Sequence, residues 1–138
     1  MAKPFVFVIM PFHSDFDDTY KFGIKEVCLK PEVDCYCERV DEQLYEGKVI
    51  DRIFNQIEKA DLIIADLTGR NPNVFFELGY ASALKKEILM LQNKTAPSDS
   101  FFDKQHIRTQ RYDPSDINHF QNELKANIIA IKNKMTYA

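Results

Sequence analysis

The chain has 138 residues, 45% of them hydrophobic and 28% charged, with a formal net charge of −3. That length suits one domain, and the composition supplies enough apolar material for a core, which excludes a disordered chain. Mild acidity without a basic block argues against a nucleic-acid partner. No apolar run approaches the ~20 residues of a membrane span, and residues 1–10 lack the basic start and cleavage site of a signal peptide. The expectation is a single cytoplasmic domain over residues 1–138 with no membrane association.

Phe5-Val6-Phe7-Val8-Ile9-Met10 is a continuous apolar run ended by Pro11, the pattern of a strand buried on both faces. Phe16, Tyr20, Ile24, Val27 and Cys28 then recur at helical spacing, with Asp17 and Asp18 where negative charge favours a helix N-terminus, and predict a first helix. Val33 to Val40 alternates apolar with charged residues and predicts a more polar, peripheral strand. Within it Cys35 and Cys37 would share one face. With Cys28 they make an odd set, which excludes a fully paired disulfide scaffold and leaves reduced core thiols as the plain reading. No Cys/His set has the spacing of a structural zinc site, so no metal is expected.

A second helix is expected from about Lys48 to near Ala60, on the stripe Val49 or Ile50, Ile53 and Ile57. It leads into a short buried strand, Asp61-Leu62-Ile63-Ile64-Ala65-Asp66, bracketed by two carboxylates. Asn71-Pro72 marks a helix start, with Asn71 as the cap and Pro72 pre-set for the first helical position, and the helix runs to about Leu84. Glu87 to Leu91 predicts another buried strand, Asn93 to Asp103 a polar loop containing Pro97, and His106 to Tyr112 a last strand. Asp113-Pro114 is expected to cap a final helix with the apolar stripe Ile117, Phe120, Leu124, Ile128 and Ile131.

Strands alternating with helices predict an α/β fold: a single-domain, flavodoxin-like three-layer sandwich. Its five-stranded, mainly parallel sheet should run in the order 2-1-3-4-5, with helices on both faces. Ligands of such sheets bind outside the carboxyl ends of the strands, near the point where strand order reverses. The loops Pro11 to Asp15 and Asp66 to Asn73 therefore frame the expected pocket.

The four glycines form neither a G-x-G-x-x-G turn nor a phosphate-cradling P-loop, no Gly-x-Ser-x-Gly elbow exists, and the cysteines have no convincing His partner in sequence. Dinucleotide oxidoreduction and acyl transfer are set aside, and no cofactor is expected. Carboxylates remain. Glu77 stands among Val74, Phe75, Phe76, Leu78, Tyr80 and Ala81 on a helix that should be largely buried. Asn73 and Tyr80, at minus four and plus three, could hydrogen-bond it, and the helix N-terminus is less than two turns away, which favours an ionised carboxylate. Nucleophilic attack on a sugar carbon demands such a group. The alternative is that Glu77 lies on a solvent stripe or pairs with a Lys or Arg.

Asp66, at the carboxyl end of its strand, is a better acid candidate than Asp61 at the other end. Equally, Asp66-Leu67-Thr68-Gly69 could be a turn in which the carboxylate bonds backbone amides. Arg70, Arg39 and His13 could bring cations to the same edge for a phosphate, and Phe12 and Tyr20 could stack on a base. The plainer reading of each is a solvated side chain or a core ring.

The stretch from Ala60 to Lys86, with its Asn71-Pro72-Asn73-Val74-Phe75-Phe76-Glu77-Leu78-Gly79-Tyr80-Ala81 block, is preceded by Val6-Phe7-Val8-Ile9-Met10-Pro11-Phe12. Together they resemble the nucleoside 2-deoxyribosyltransferase-like superfamily, closest to its short bacterial members that are grouped with TIR-like domains. The resemblance spans Phe5 to Gln92, and the tail Phe102 to Tyr112 is compatible with it. It implies that Glu77 matches the catalytic glutamate, which attacks the anomeric carbon in a retaining double displacement. Asp61 and Asp66 flank a strand whose acidic positions in the family help to bind sugar or protonate the base. Pro11 and Phe12 match a loop lining the nucleoside pocket, with His13, Arg39, Arg70, Asn71, Asn73 and Tyr80 as further candidates for substrate binding.

Two departures stand out. Asn71 occupies a position where transferases of the family can carry an acidic residue, and the Pro11 loop lacks their glycine pattern. These favour N-glycosidic cleavage in general over exchange of deoxyribose between bases. TIR-like relatives imply NAD hydrolysis as an alternative, and a third reading is a non-catalytic nucleotide-binding or assembly module in bacterial defence or signalling. The implied partners are a small-molecule nucleoside, nucleotide or NAD, and a second copy of the chain in a homodimer.

Overall fold

A computed structural model describes residues 3–11, 13–39, 49–95 and 107–136. Phe12, the Val40 end of the second expected strand, Lys48, the Pro97 loop and His106 lie outside them. Five strands, β1 (Phe5–Ile9), β2 (Tyr36–Arg39), β3 (Leu62–Asp66), β4 (Glu87–Asn93) and β5 (Arg108–Tyr112), form one sheet in the order β2-β1-β3-β4-β5. Every pairing is parallel, with Val8 opposite both Arg39 and Ile64, and Ala65 opposite Met90. The expected order is thus the observed one.

Because side chains alternate across a strand, the apolar runs of β1, β3 and β4 feed two separate cores. On one face Val6, Val8, Leu62, Ile64, Leu89 and Leu91 pack against Tyr20, Ile24 and the final helix α4 (Ile117–Thr136), which contributes Phe120, Leu124, Ile128 and Ile131. On the other, Phe7, Ile9, Ile63, Ala65 and Met90 meet Ile53 and Ile57 of α2 (Val49–Lys59) and Val74, Leu78 and Ala81 of α3 (Pro72–Ala83). Each fully buried aliphatic side chain contributes about 1.5–3 kcal/mol, and Ile64→Ala at the sheet centre would cost about 2–5 kcal/mol.

Three local expectations are corrected. The first helical segment is composite: a three-ten turn at Ser14–Phe16, a π-helical stretch at Thr19–Lys25, and only then α1 (Glu26–Leu29). Gly23 belongs to that stretch, and a Cβ there would meet Phe120 Cε1 at 2.8 Å, so the missing side chain lets the segment close onto α4. The second strand begins only at Tyr36, because Asp34 turns the chain with φ of 51° and Cys35 instead gives its N–H to Cys28 O at 2.9 Å. The three free cysteines share one core, where the Cys28–Cys37 hydrogen bond and burial push the Cys28 thiol up, and burial raises Cys35. Finally, Asp113 closes a turn by accepting Ser115 N at 2.9 Å, and α4 is capped by Asp116, which accepts His119 N at 3.2 Å.

Candidate active site

In a parallel sheet of this kind α2 and α3 both start at the carboxyl edge and run the same way over the same face. Glu77 is carried on α3. That helix starts where the sequence places it, with Asn71 Oδ1 accepting Asn73 N at 2.9 Å and Val74 N at 3.3 Å, and Pro72 in the first turn. At 100° per residue, Glu77 falls between the sheet-facing row Val74–Leu78–Ala81 and the row Phe76–Tyr80, whose rings lie 5.9 and 4.3 Å from that of Phe54 on α2. It therefore occupies the crease between α2 and α3. The side chain is only partly exposed and has no hydrogen-bond partner among the described residues, and loss of water alone pushes its pKa up to about 7.

This revises the expected support of Glu77. Tyr80 Oη donates to Glu58 Oε1 on α2 at 2.5 Å, and Asn73 is exposed, so neither holds the glutamate. The carboxyl is poised to change charge near neutrality, where an ionised group was expected. It stays half-buried beside the exposed Asn73, and no Lys or Arg among the described residues pairs with it.

Asp66 and Asp61 are not brought together with it. Asp61 sits at the amino end of β3, exposed, and accepts Phe5 N at 2.8 Å, which ties β1 to β3 at the opposite edge of the sheet. Asp66 does end β3 at the carboxyl edge, fully buried. Its Oδ1 accepts Thr68 N at 2.9 Å, the turn that the sequence allowed, and its Oδ2 accepts Tyr112 Oη at 2.5 Å. Burial pushes both the Asp66 carboxyl and the Tyr112 hydroxyl up.

The cations divide. Arg39 is buried, donates to Asp17 Oδ1 at 3.0 Å and lies 4.5 Å from the Tyr20 ring centre, so it locks β2 to the π-helical stretch. Tyr20 is correspondingly a core ring. His13 is exposed, and its Nδ1 accepts Asp15 N at 3.2 Å, capping the three-ten turn. Pro11 is buried just beyond β1, while Arg70 is exposed with φ of 55° in the loop before α3.

Two features escaped the sequence reading. Glu38 is buried on β2, where it accepts Tyr36 Oη at 3.0 Å and a hydrogen bond from Gln56 of α2, with Arg52 Nη2 at 3.9 Å. These contacts fasten α2 to the sheet. Asp51, Phe54 and Glu58 form one i, i+3, i+7 row on α2, and two of the three contact α3. Asp51 thus puts an exposed carboxylate on the wall facing α3, one turn nearer the carboxyl edge than Phe54. Acidic residues in first turns are ordinarily explained by the helix dipole, which hid it.

Among the described residues no group of His, Cys, Asp and Glu could hold a metal, and no helix is long and apolar enough to cross a membrane. A cavity of about 710 Å³, lined by Lys85, Lys86, Ile88, Ile107 and Arg108, lies at the amino ends of β4 and β5, away from Glu77. It contains none of the carboxylates considered above.

The family model for nucleoside 2-deoxyribosyltransferase matches residues 13–129. The chain belongs to the nucleoside 2-deoxyribosyltransferase family. A solved 2-deoxyribosyltransferase of Leishmania mexicana is similar at 26% identity, covering 68% of this chain and 67% of that one, with a TM-score of 0.57. The Clostridium botulinum CMP N-glycosidase BcmB shares the fold at 18% identity, covering 88% of this chain and 98% of that one, with a TM-score of 0.61. No curated protein matches. Membership places the chain among enzymes that cleave or transfer glycosidic bonds, whose partners are small molecules.

Proposed function

We propose that the chain cleaves the N-glycosidic bond of a nucleoside or nucleotide by a retaining mechanism in which Glu77 is the nucleophile. The observation that carries this is the partly buried Glu77, without a partner among the described residues, in the crease between α2 and α3 at the carboxyl-edge end of a nucleoside 2-deoxyribosyltransferase fold. A Glu77 Oε lone pair forms a bond to the anomeric carbon while the bond from that carbon to the base nitrogen breaks. The base leaves with the bonding electrons and takes a proton from solvent water. Water then attacks the glycosyl ester, restoring the Glu77 carboxylate and releasing the sugar; a second base attacking instead would give transfer.

Desolvation is what makes a carboxylate reactive here. A glutamate paired with an arginine or held by several N–H groups would be a weak nucleophile, whereas Glu77 loses water without gaining such partners among the described residues. Its proton must leave before it can attack, so the ground state is tuned to neutral pH. Incubation of the chain with deoxynucleosides, ribonucleosides and their 5′-monophosphates, with free base followed by chromatography, tests the reading. Base release from at least one substrate is expected, and release from none of them would overturn it.

A further inference from the structure

We propose that Asp66 and Tyr112 form a positioning pair that fixes the loop launching α3, and that Asp66 takes no part in proton transfer to the base. This rests on the reading of Glu77 as the nucleophile. Three observations carry it.

The first is facing. Along β3 the side chains of Leu62 and Ile64 enter the α4-side core, and those of Ile63 and Ala65 the α2/α3-side core, so the alternation sends Asp66 toward α4. Tyr112, its partner, belongs to that same α4-side core. Glu77 comes from a helix on the opposite face. The two carboxyl groups therefore approach the edge from different sides of the sheet.

The second is burial. Asp66 is fully buried, with Oδ1 accepting Thr68 N at 2.9 Å and Oδ2 accepting Tyr112 Oη at 2.5 Å. A general acid needs its proton within reach of the leaving group. Neither oxygen of Asp66 is open to one.

The third is what the pair holds. Thr68 Oγ1 in turn accepts Asn93 N at 2.9 Å, and Leu67 N donates to Leu91 O at 2.9 Å, so the loop after β3 is tied to the ends of both β4 and β5. Gly69 and Arg70 follow with φ of 84° and 55°. A non-glycine residue in the left-handed region persists only where its surroundings over-determine it. Asn71 then caps α3, and Glu77 lies in the second turn of that helix. A change in the loop anchor is transmitted to Glu77 along a rigid element.

The test is steady-state kinetics of the full chain, as wild type, Tyr112→Phe and Asp66→Asn. Two substrates are compared: the nucleoside or nucleotide turned over fastest in the base-release panel, and its counterpart with an activated base, N7-methyl for a purine or 5-fluoro for a pyrimidine. Removing the hydroxyl leaves an isosteric ring, and misplacement of a reacting group by about 1 Å costs on the order of 100-fold. The expected result is a kcat lowered by about 10- to 100-fold in both variants with KM little changed. The loss should be equal on the two substrates, and the pH profile should keep the limbs of the wild type.

An Asp66→Asn loss that disappears with the activated base would make Asp66 the acid and overturn the proposal, as would wild-type kcat in Tyr112→Phe. Should Asp66→Asn fail to fold by circular dichroism, Tyr112→Phe alone decides. A wild type that releases base from neither substrate overturns the functional reading and this inference with it. An active wild type beside an unimpaired Tyr112→Phe overturns the inference alone.

Discussion

Tyr80 Oη donates its hydrogen bond to Glu58 of α2, at 2.5 Å, and not to Glu77 three residues earlier on its own helix. That choice joins the two helices through a polar contact beside the Phe54 ring and leaves the Glu77 carboxyl partly desolvated, with no compensating partner among the described residues.

The first consequence is a pH profile. With a pKa near 7 caused by burial, Glu77 is half-protonated at neutrality and inactive as a nucleophile in that form. The rate constant kcat/KM for base release should therefore fall about tenfold per pH unit below pH 7 and level off above it. Initial rates between pH 5 and 9 check this; an acidic limb near 4.5, the ordinary glutamate value, would mean that Glu77 is solvated in the working enzyme.

Stability should move the opposite way. The folded-state pKa of Glu77 is raised from 4.5 to about 7, so its contribution is fully present below pH 4.5 and is lost as pH rises through 7. Glu77→Gln keeps the shape and removes the charge. The variant should melt with the wild type at pH 4 and be more stable at pH 8 by on the order of 1–3 kcal/mol, while base release drops by several orders of magnitude. Thermal melts at the two pH values check the sign.

Asp61 separates the two edges of the sheet. Its carboxylate accepts Phe5 N at 2.8 Å at the amino edge, far from the helix starts. Asp61→Ala should cost about 1 kcal/mol of stability and leave kcat and KM unchanged. Loss of turnover in a folded Asp61→Ala chain would contradict its assignment to the strand pairing.

Asn71 offers a graded version of the same logic. Its side-chain oxygen is spent on capping α3, so Asn71→Ala should cost about 1 kcal/mol. Asn71→Asp keeps the acceptor and places negative charge at a helix N-terminus, and should match or exceed the wild-type melting temperature. Denaturant titration of the three chains orders them.

Much of the architecture was legible because burial writes itself into local pattern. Phe5 to Met10 and Leu62 to Ala65 are apolar without interruption, as strands covered on both faces must be, and Phe120, Leu124, Ile128 and Ile131 repeat at helical spacing. Tyr20, Ile24 and Cys28 stand four apart, a spacing that an α-helix and a π-helical stretch share, so the irregular first helix could not be told from a regular one. The cap of α4 was misread because Asp113-Pro114 and Asp116 are both good turn formers, and only the tertiary position of Ile117 selects between them.

The candidate site was legible in part. Glu77 stood out as a charge in an apolar helix, but its neighbours were assigned by helical spacing, and the actual partner of Tyr80 comes from another helix 22 positions away in sequence. The Asp66–Tyr112 bond spans 46 positions. Such pairings are chosen when two elements pack, and nothing in either local stretch specifies them.

The most direct test of the central assignment is covalent trapping. Wild-type chain mixed with a 2′-fluoro analogue of its best substrate, quenched in acid and examined by peptide mass spectrometry, should carry the fluoroglycosyl group as an ester on Glu77, with one equivalent of base released. Turnover of the unmodified substrate by Glu77→Gln at the wild-type rate, or a glycosyl adduct mapped to another residue, would contradict it.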